Sequence, residues 1–347
     1  MISSMKMKGV NVITAADKKS STLEFKEYDI PTLKEGEVLL KVNATAVNRV
    51  DLLQRRGAYP VPEGVSHILG LEAVGEIVDC DLKPQGTGLI GALVSGGSYA
   101  EYVAVQKSHT FELPAGYDLV KAASIPEIWL TAHALARQMA NVKQGESVYV
   151  NAGASAVGNA LIQICSKTYG CNVYASASTP DKIEECKKYG AFDGIAYKGA
   201  TEEEMLEKPL KALEGKAKGY DIAFDCVGQS QEAMISKLLG VDSRWILYGL
   251  LSGPTLKESS LLGNIHRKRI SLRGFTLRNQ PKSFKTELVN GFKEEILPKL
   301  LDGTYKIVVD CSVKVDFNKP EDVSKIEECH EKMTKSQNVG KMVIVFE

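Results

Sequence analysis

The chain predicts an α/β protein, a doubly wound parallel sheet joined to a β-rich domain. Three observations point there. The middle third alternates short apolar strands with helices, the rhythm of a parallel sheet with crossover helices. The first third consists of short strands cut by Gly, Pro and Asn, as in a barrel or sandwich. The length, 347 residues, exceeds one compact core and suits two domains.

In the β-rich part, Gly36–Val42 reads as an apolar strand entered from a turn. Gly70–Val78 reads as a second strand with glycines near both ends, and Tyr99–Val105 as a third. In the middle, Ser147–Asn151 is a buried strand. A helix with Val157, Leu161, Ile164 and Cys165 on one face follows and stops at Gly170. Asn172–Ala177 is the next strand. Thr179 then caps a helix whose first residue is Pro180, and Gly190 ends it. Asp221–Cys226 and Arg244–Tyr248 are further buried strands. Beyond them the pattern predicts helix over 281–301, strand over 306–317, helix over 321–335 and a last strand over 340–346.

The segment Ala152-Gly153-Ala154-Ser155-Ala156-Val157-Gly158 lies between a strand and a helix. The unpaired N–H groups and positive dipole end of that helix suit a pyrophosphate, and glycines let the backbone approach it. Gly153 and Gly158 hold the outer positions of a G-x-G-x-x-G spacing, with Ser155 at the middle one. The next strand ends Ala175-Ser176-Ala177-Ser178-Thr179. It carries no carboxylate to bind a ribose 2′-hydroxyl or repel a 2′-phosphate, and Lys182 follows in the first helical turn. The dinucleotide expected is therefore NADPH. Asp181 is the contrary residue; it suits the dipole of its own helix.

Composition narrows the function. Forty-three basic residues balance 43 acidic ones, which argues against nucleic acid and against an anionic membrane surface. No apolar run approaches the roughly 18 residues of a membrane span. Met1 to Val10 lacks the apolar stretch of a signal peptide. The seven cysteines are odd in number and form no CxxC pair, as in reduced, cytoplasmic proteins.

With these features, several segments in one order resemble the zinc-independent medium-chain reductases, the quinone oxidoreductases of the zeta-crystallin type. They are Asn48 to Tyr59, Ile125 to Ala132, Arg244 to Leu250 and Asn338 to Lys341. Two departures are Ala156, where the family usually has Gly, and Asn151, where it often has His. The resemblance implies a GroES-like catalytic domain built from both chain ends (1–127 and 275–347) and a Rossmann domain over 128–274, with NADPH in the cleft between them. It implies cofactor contacts at Asn48, Thr131, Gly153, Ser155, Ala156, Val157, Ser176, Lys182, Tyr197, Cys226, Gly228, Tyr248 to Leu251 (with Gly249 and Leu250), Phe275, Thr276, Leu277 and Lys341. It also implies a homodimer, with Arg244–Tyr248 and Ile270–Thr276 as candidate seams.

Zinc relatives use an early Cys, a Gly-His-Glu and a later Cys; here the first two positions read Asn48 and Gly70-Leu71-Glu72. Leu cannot ligate, so no metal is expected. Reduction without a metal needs a donor where negative charge develops on the acceptor oxygen. Tyr59, in a loop-like Gly57-Ala58-Tyr59-Pro60, is the candidate; its ordinary pKa of about 10 makes it a donor at neutral pH. Asn48 is expected on the cofactor ribose or the substrate, and Asp51 on Asn48 or a nearby backbone amide. The expected reaction is NADPH-dependent quinone reduction. The alternatives are reduction of an enoyl or α,β-unsaturated carbonyl double bond, or an NADPH-binding stress or RNA-binding protein with little turnover.

Overall fold

The computed structural model describes residues 5–14, 20–86, 88–215, 218–256 and 259–347, so the first four residues of the amino-terminal stretch read above lie outside the described ones. The chain divides into two compact units. The first comprises Met1–Leu130, Arg278–Pro298 and Ile307–Glu347; the second comprises Thr131–Leu277 and Lys299–Lys306. The fold is α/β, with a GroES-like β unit and a Rossmann-like parallel sheet.

The first unit opens with an antiparallel pair, β1 (Lys6–Thr14) and β2 (Ser21–Asp29), which the sequence reading missed. Its main sheet begins with β3 (Glu37–Ala46), β4 (Glu72–Val78), β5 (Leu89–Leu93), β6 (Tyr102–Gln106) and β7 (Thr110–Leu113). The second unit holds β8 (Ser147–Val150), β9 (Asn172–Ala177), β10 (Asp193–Ala196), β11 (Tyr220–Asp225), β12 (Leu239–Leu247) and β13 (Ser271–Gly274). The chain then returns to the first unit with β14 (Val309–Val315) and β15 (Lys341–Phe346).

In the first unit the order is β14-β15-β3-β4-β5-β7, with β6 also paired to β3. The last strand of the chain thus lies antiparallel beside an early one, and residues 293 positions apart can meet. Val47, Leu52, Leu69, Met342 and Ile344 share its core. In the second unit the order is β10-β9-β8-β11-β12-β13, all parallel. The order reverses between β8 and β11, which is where ligands bind doubly wound sheets. Tyr149, Tyr174 and Tyr220 pack together in its core, with ring centroids 5.6 to 6.2 Å apart.

Several boundaries moved for local reasons. Tyr99 is not in a strand of the main sheet: its N–H donates to Leu69 O, and β6 starts at Tyr102. Lys306 is not part of the strand that follows, because its N–H is taken by Gln163 Oε1 at 2.7 Å within the second unit. The helix expected from Glu321 runs Val323–Thr334, after a tight turn over Pro320–Asp322 in which the Asp322 carboxylate accepts from Asp316 N–H. A helix over Arg49–Arg55 was not foreseen. Arg244–Tyr248 cannot be an edge seam, since β12 is paired on both sides; β10 and β13 are the edges of this sheet, and β13 is exposed.

Candidate functional site

At the carboxyl edge of the parallel sheet, two loops lie side by side at the reversal of strand order. The loop after β8 takes its left-handed turn at Ala152 (φ 56°), not at a glycine. Gly153 answers a different need: a Cβ there would stand 2.8 Å from the Ala175 Cβ on β9. Ser155 caps the helix Ala156–Gln163, its hydroxyl accepting from Gly158 N–H at 3.1 Å. The serine in the middle position of the glycine pattern therefore satisfies one amide of the helix start, and the N–H groups of Ala156 and Val157 precede any intrahelical partner.

Beneath these loops is a buried polar network. Asp225, at the end of β11, accepts from Asn151 Nδ2 at 2.9 Å, from Val227 N–H at 2.8 Å and from Gly228 N–H at 3.3 Å. Asn151 Oδ1 accepts in turn from the Ser176 hydroxyl at 2.7 Å and from Ala152 N–H at 3.0 Å. One carboxylate and one amide thus tie together the ends of β8, β9 and β11. Burial pushes the Asp225 carboxyl above the usual range, against the pull of its N–H donors. Gly228 adopts φ 81°, and the Tyr248–Ser252 loop zips onto this turn through Tyr248 N–H to Asp225 O, Leu251 N–H to Cys226 O and Ser252 N–H to Val227 O. Gly249 is needed there, since a Cβ would meet Cys226 O at 2.8 Å.

The structure therefore gathers Gly153, Ser155, Ala156, Val157, Ser176, Cys226, Gly228 and the Tyr248–Leu251 loop on one edge. Tyr197 joins them, its N–H on Ala177 O, with its side chain 38% exposed. Lys182 stands in the first turn of the helix Pro180–Lys188. Leu250 and Leu251 are exposed apolar side chains on that loop. Phe275 and Leu277 are buried, Thr276 is exposed, and Phe275 N–H donates to Leu247 O. Thr131 is buried on the helix Pro126–His133. Ser176 is 1% exposed with its hydroxyl committed to Asn151, so its fixed contact is within the protein. These residues fit a dinucleotide: glycines where backbones crowd, a helix start with unpaired amides, and no carboxylate at the end of β9.

In the first unit, β3, β4 and β15 bring a second set together. Lys341 Nζ lies 2.6 Å from Glu72 Oε1 and donates to Asn48 Oδ1 at 2.6 Å. Asn48 Nδ2 donates to the same Glu72 oxygen at 2.8 Å, and Glu127 N–H to the other at 3.0 Å. The pair is sealed, with 2% of the lysine and 0% of the glutamate side chain exposed. Both ends of the Asn48 amide are thereby engaged, and the Lys341 ammonium answers a buried carboxylate. Asp51 accepts from the N–H groups of Asn48 (2.8 Å) and Gly70 (2.9 Å). Burial raises its carboxyl to about 6. Tyr99 O–H lies 3.4 Å from Asp51 and 3.3 Å from His330 Nε2.

Tyr59 stands in the turn after Arg49–Arg55, half-buried. Burial raises its phenol above the ordinary value, partly offset by Arg278, whose guanidinium carbon lies 5.7 Å from the ring centroid. Arg278 and Glu127 were not singled out from the sequence. The signal for Arg278 was one position past the matched Phe275-Thr276-Leu277 segment. Glu127 lay inside the matched segment Ile125 to Ala132, with no role attached to it. Its carboxyl is raised to about 8 by burial and by Glu72. Among the described residues, no cluster of three or more His, Cys, Asp or Glu side chains is placed to hold a metal ion.

Residues 34–115 match the alcohol dehydrogenase GroES-like domain, and residues 156–294 match the domain described as zinc-binding dehydrogenase. Two such domains in this order, on the two folds just described, decide the family. The chain belongs to the medium-chain dehydrogenase/reductase superfamily. Within this superfamily, the chain is 30% identical over 239 residues to the synaptic vesicle membrane protein VAT-1 of Tetronarce californica, covering 67% of this chain and 60% of that protein. It is thus matched to only about three-fifths of that relative's length. It is 29% identical over 219 residues to the 2-methylene-furan-3-one reductase of Solanum lycopersicum, covering 59% and 53%. The quinone oxidoreductase of Thermus thermophilus, solved also in complex with NADPH, superposes with a TM-score of 0.76 at 28% identity, over 98% of this chain and all of that one. No described helix is long and apolar enough to cross a membrane.

Proposed function

We propose that this superfamily member is an NADPH-dependent reductase of conjugated carbonyl compounds, with quinones as the leading acceptors and without zinc. The carrying observation is the carboxyl edge of the parallel sheet. Its two loops are locked by the Asn151–Asp225 network, and the β9 end offers Ser178, Lys182 and Tyr197 where an acidic residue would select NADH. Gly153, Ser155, Ala156 and Val157 would hold the pyrophosphate; Lys182 and Tyr197 would meet the 2′-phosphate.

NADPH, when bound, supplies the hydride. The protein's own part is to accommodate the negative charge that then gathers on the acceptor oxygen. Tyr59 keeps its proton at neutral pH, since burial raises its phenol, and so serves as donor. Leu71 cannot ligate, and the Glu72 carboxylate is neutralised by the Lys341 ammonium.

The test follows absorbance at 340 nm with NADPH and either 9,10-phenanthrenequinone, 1,4-benzoquinone, 2-hexenal or crotonyl-CoA. Rapid oxidation with the quinones supports the reading. Turnover only with the enoyl compounds supports double-bond reduction instead, which the furanone reductase relative favours. Tight NADPH binding with no turnover on any acceptor supports a binding role. A preference for NADH would overturn the 2′-phosphate argument. The exposed strand β13, an open sheet edge, is the seam proposed for a homodimer, tested by sedimentation. No disulfide joins the described cysteines, as suits a reducing cytoplasm.

A further inference from the structure

Arg278 is a costly residue. It is 6% exposed, yet one of its guanidinium nitrogens, Nη2, is buried with no hydrogen-bond partner among the described residues. The other nitrogens are fixed. Nε donates to Ser95 O at 2.6 Å and Nη1 to Gln54 Oε1 at 2.8 Å. Gln54 is held by its own bond to His67 O at 2.9 Å. Lys285 braces the same loop, with Nζ on Arg278 O at 2.7 Å and on Ser95 Oγ at 3.1 Å. Gly96 leaves the space for Nη2, as a Cβ there would come within 3.2 Å of it. A cation so firmly held and incompletely bonded faces the Tyr59 ring, its guanidinium carbon 5.7 Å from the ring centroid.

We propose that Arg278 is a positioning residue for Tyr59: the clamped guanidinium holds the phenol ring and supplies the positive charge that the phenolate needs after it gives up its proton. The inference rests on the reading of Tyr59 as donor. In that step the two electrons of the hydride end on the acceptor, whose oxygen takes the proton. The Tyr59 O–H bond breaks, a new O–H bond forms on the acceptor, and the phenolate is re-protonated from water. Among the described residues, two titratable groups bear on Tyr59. Arg278 stabilises the phenolate, and Glu127 opposes it once ionised, as does burial itself. Reciprocally, Tyr59, Asp51 and Glu127 support the charge on Arg278 against burial.

The experiment places 3,5-difluorotyrosine at position 59 of the full chain and follows its ionisation by ¹⁹F NMR, in the parent, Arg278→Gln and Arg278→Lys proteins. Arg278→Gln is expected to raise the midpoint by about one unit, and Arg278→Lys by less because the charge survives without the planar fork. With the natural tyrosine, kcat for the best quinone is expected to fall about tenfold in Arg278→Gln with KM within about twofold, and to recover in part in Arg278→Lys. An unchanged midpoint overturns the proposal, and so does a shifted midpoint with unchanged kcat. If Arg278→Gln does not fold, the lysine variant decides by the same midpoint. If the parent reduces no acceptor, the functional reading fails on its own, while the NMR titration still decides whether Arg278 and Tyr59 are coupled.

Discussion

Two buried carboxylates serve the two units in opposite ways. Asp225 in the parallel sheet pairs with no cation among the described residues; it is held by one side-chain amide and two backbone N–H groups, and its effect is to shape loops. Glu72 in the β unit is held by an ammonium, an amide and a backbone N–H, and its effect is to neutralise charge. Both are 0% exposed. Backbone donors suffice where the carboxylate caps a strand end beside a turn, because free N–H groups are abundant there. Glu72 lies within a strand whose N–H groups serve the sheet, so a counter-ion had to come from elsewhere in the chain, and β15 brings it.

The sharpest way to break the contrast is to remove the cation. Lys341→Met is expected to cost about 3–5 kcal/mol in urea unfolding, since it strands the Glu72 charge. Pairing it with Glu72→Gln should recover much of that loss. A small loss in the single variant would refute the reading of Lys341 as the obligatory partner of Glu72. Asp225→Ala leaves N–H groups unpaired and is expected to cost about 1–3 kcal/mol and to weaken NADPH binding measured by calorimetry, with little sensitivity to salt. Unchanged NADPH affinity would show that the network is scaffolding only.

Glu127 sharpens the comparison through pH. Its folded pKa of about 8 lies above the ordinary 4.5, so the folded state binds the extra proton between these values. Its contribution to stability therefore falls as pH rises from about 4.5 to 8. Glu127→Gln, which has no such proton to lose, should gain stability relative to the parent as pH rises through that window, then level off. A gap that stays flat between pH 5 and 8 would refute the buried-acid assignment. The smallest expected effect is Ser155→Ala, about 1 kcal/mol from loss of the cap on Gly158 N–H, read from thermal unfolding without cofactor.

Legibility differed between the units in the same way. The parallel sheet was written in local patterns. The Asn172–Ala177 strand, the Thr179-Pro180 helix start and the loop from Gly153 could each be found from a short window, because strand, turn and helix signals are local. The β unit was harder. The β1–β2 hairpin and the Arg49–Arg55 helix carry weaker periodicity, and Tyr99 looked like strand until Leu69 claimed its amide. Arg278 had no local signature, since its meaning depends on Ser95, Gln54 and Tyr59, all more than 180 positions earlier.

By itself the sequence determined the two architectures, the position of the glycine-bearing loop after β8 and the missing acidic residue after β9, because propensity, turn chemistry and side-chain charge act over a few residues. Only tertiary structure decided that Ser155 caps a helix, that Asn151 and Asp225 bind three strand ends together, that Lys341 neutralises Glu72, and that Arg278 stands over Tyr59. Each of these depends on burial and on groups far apart in the chain, and desolvation, which makes such partners obligatory, exists only once the core has closed.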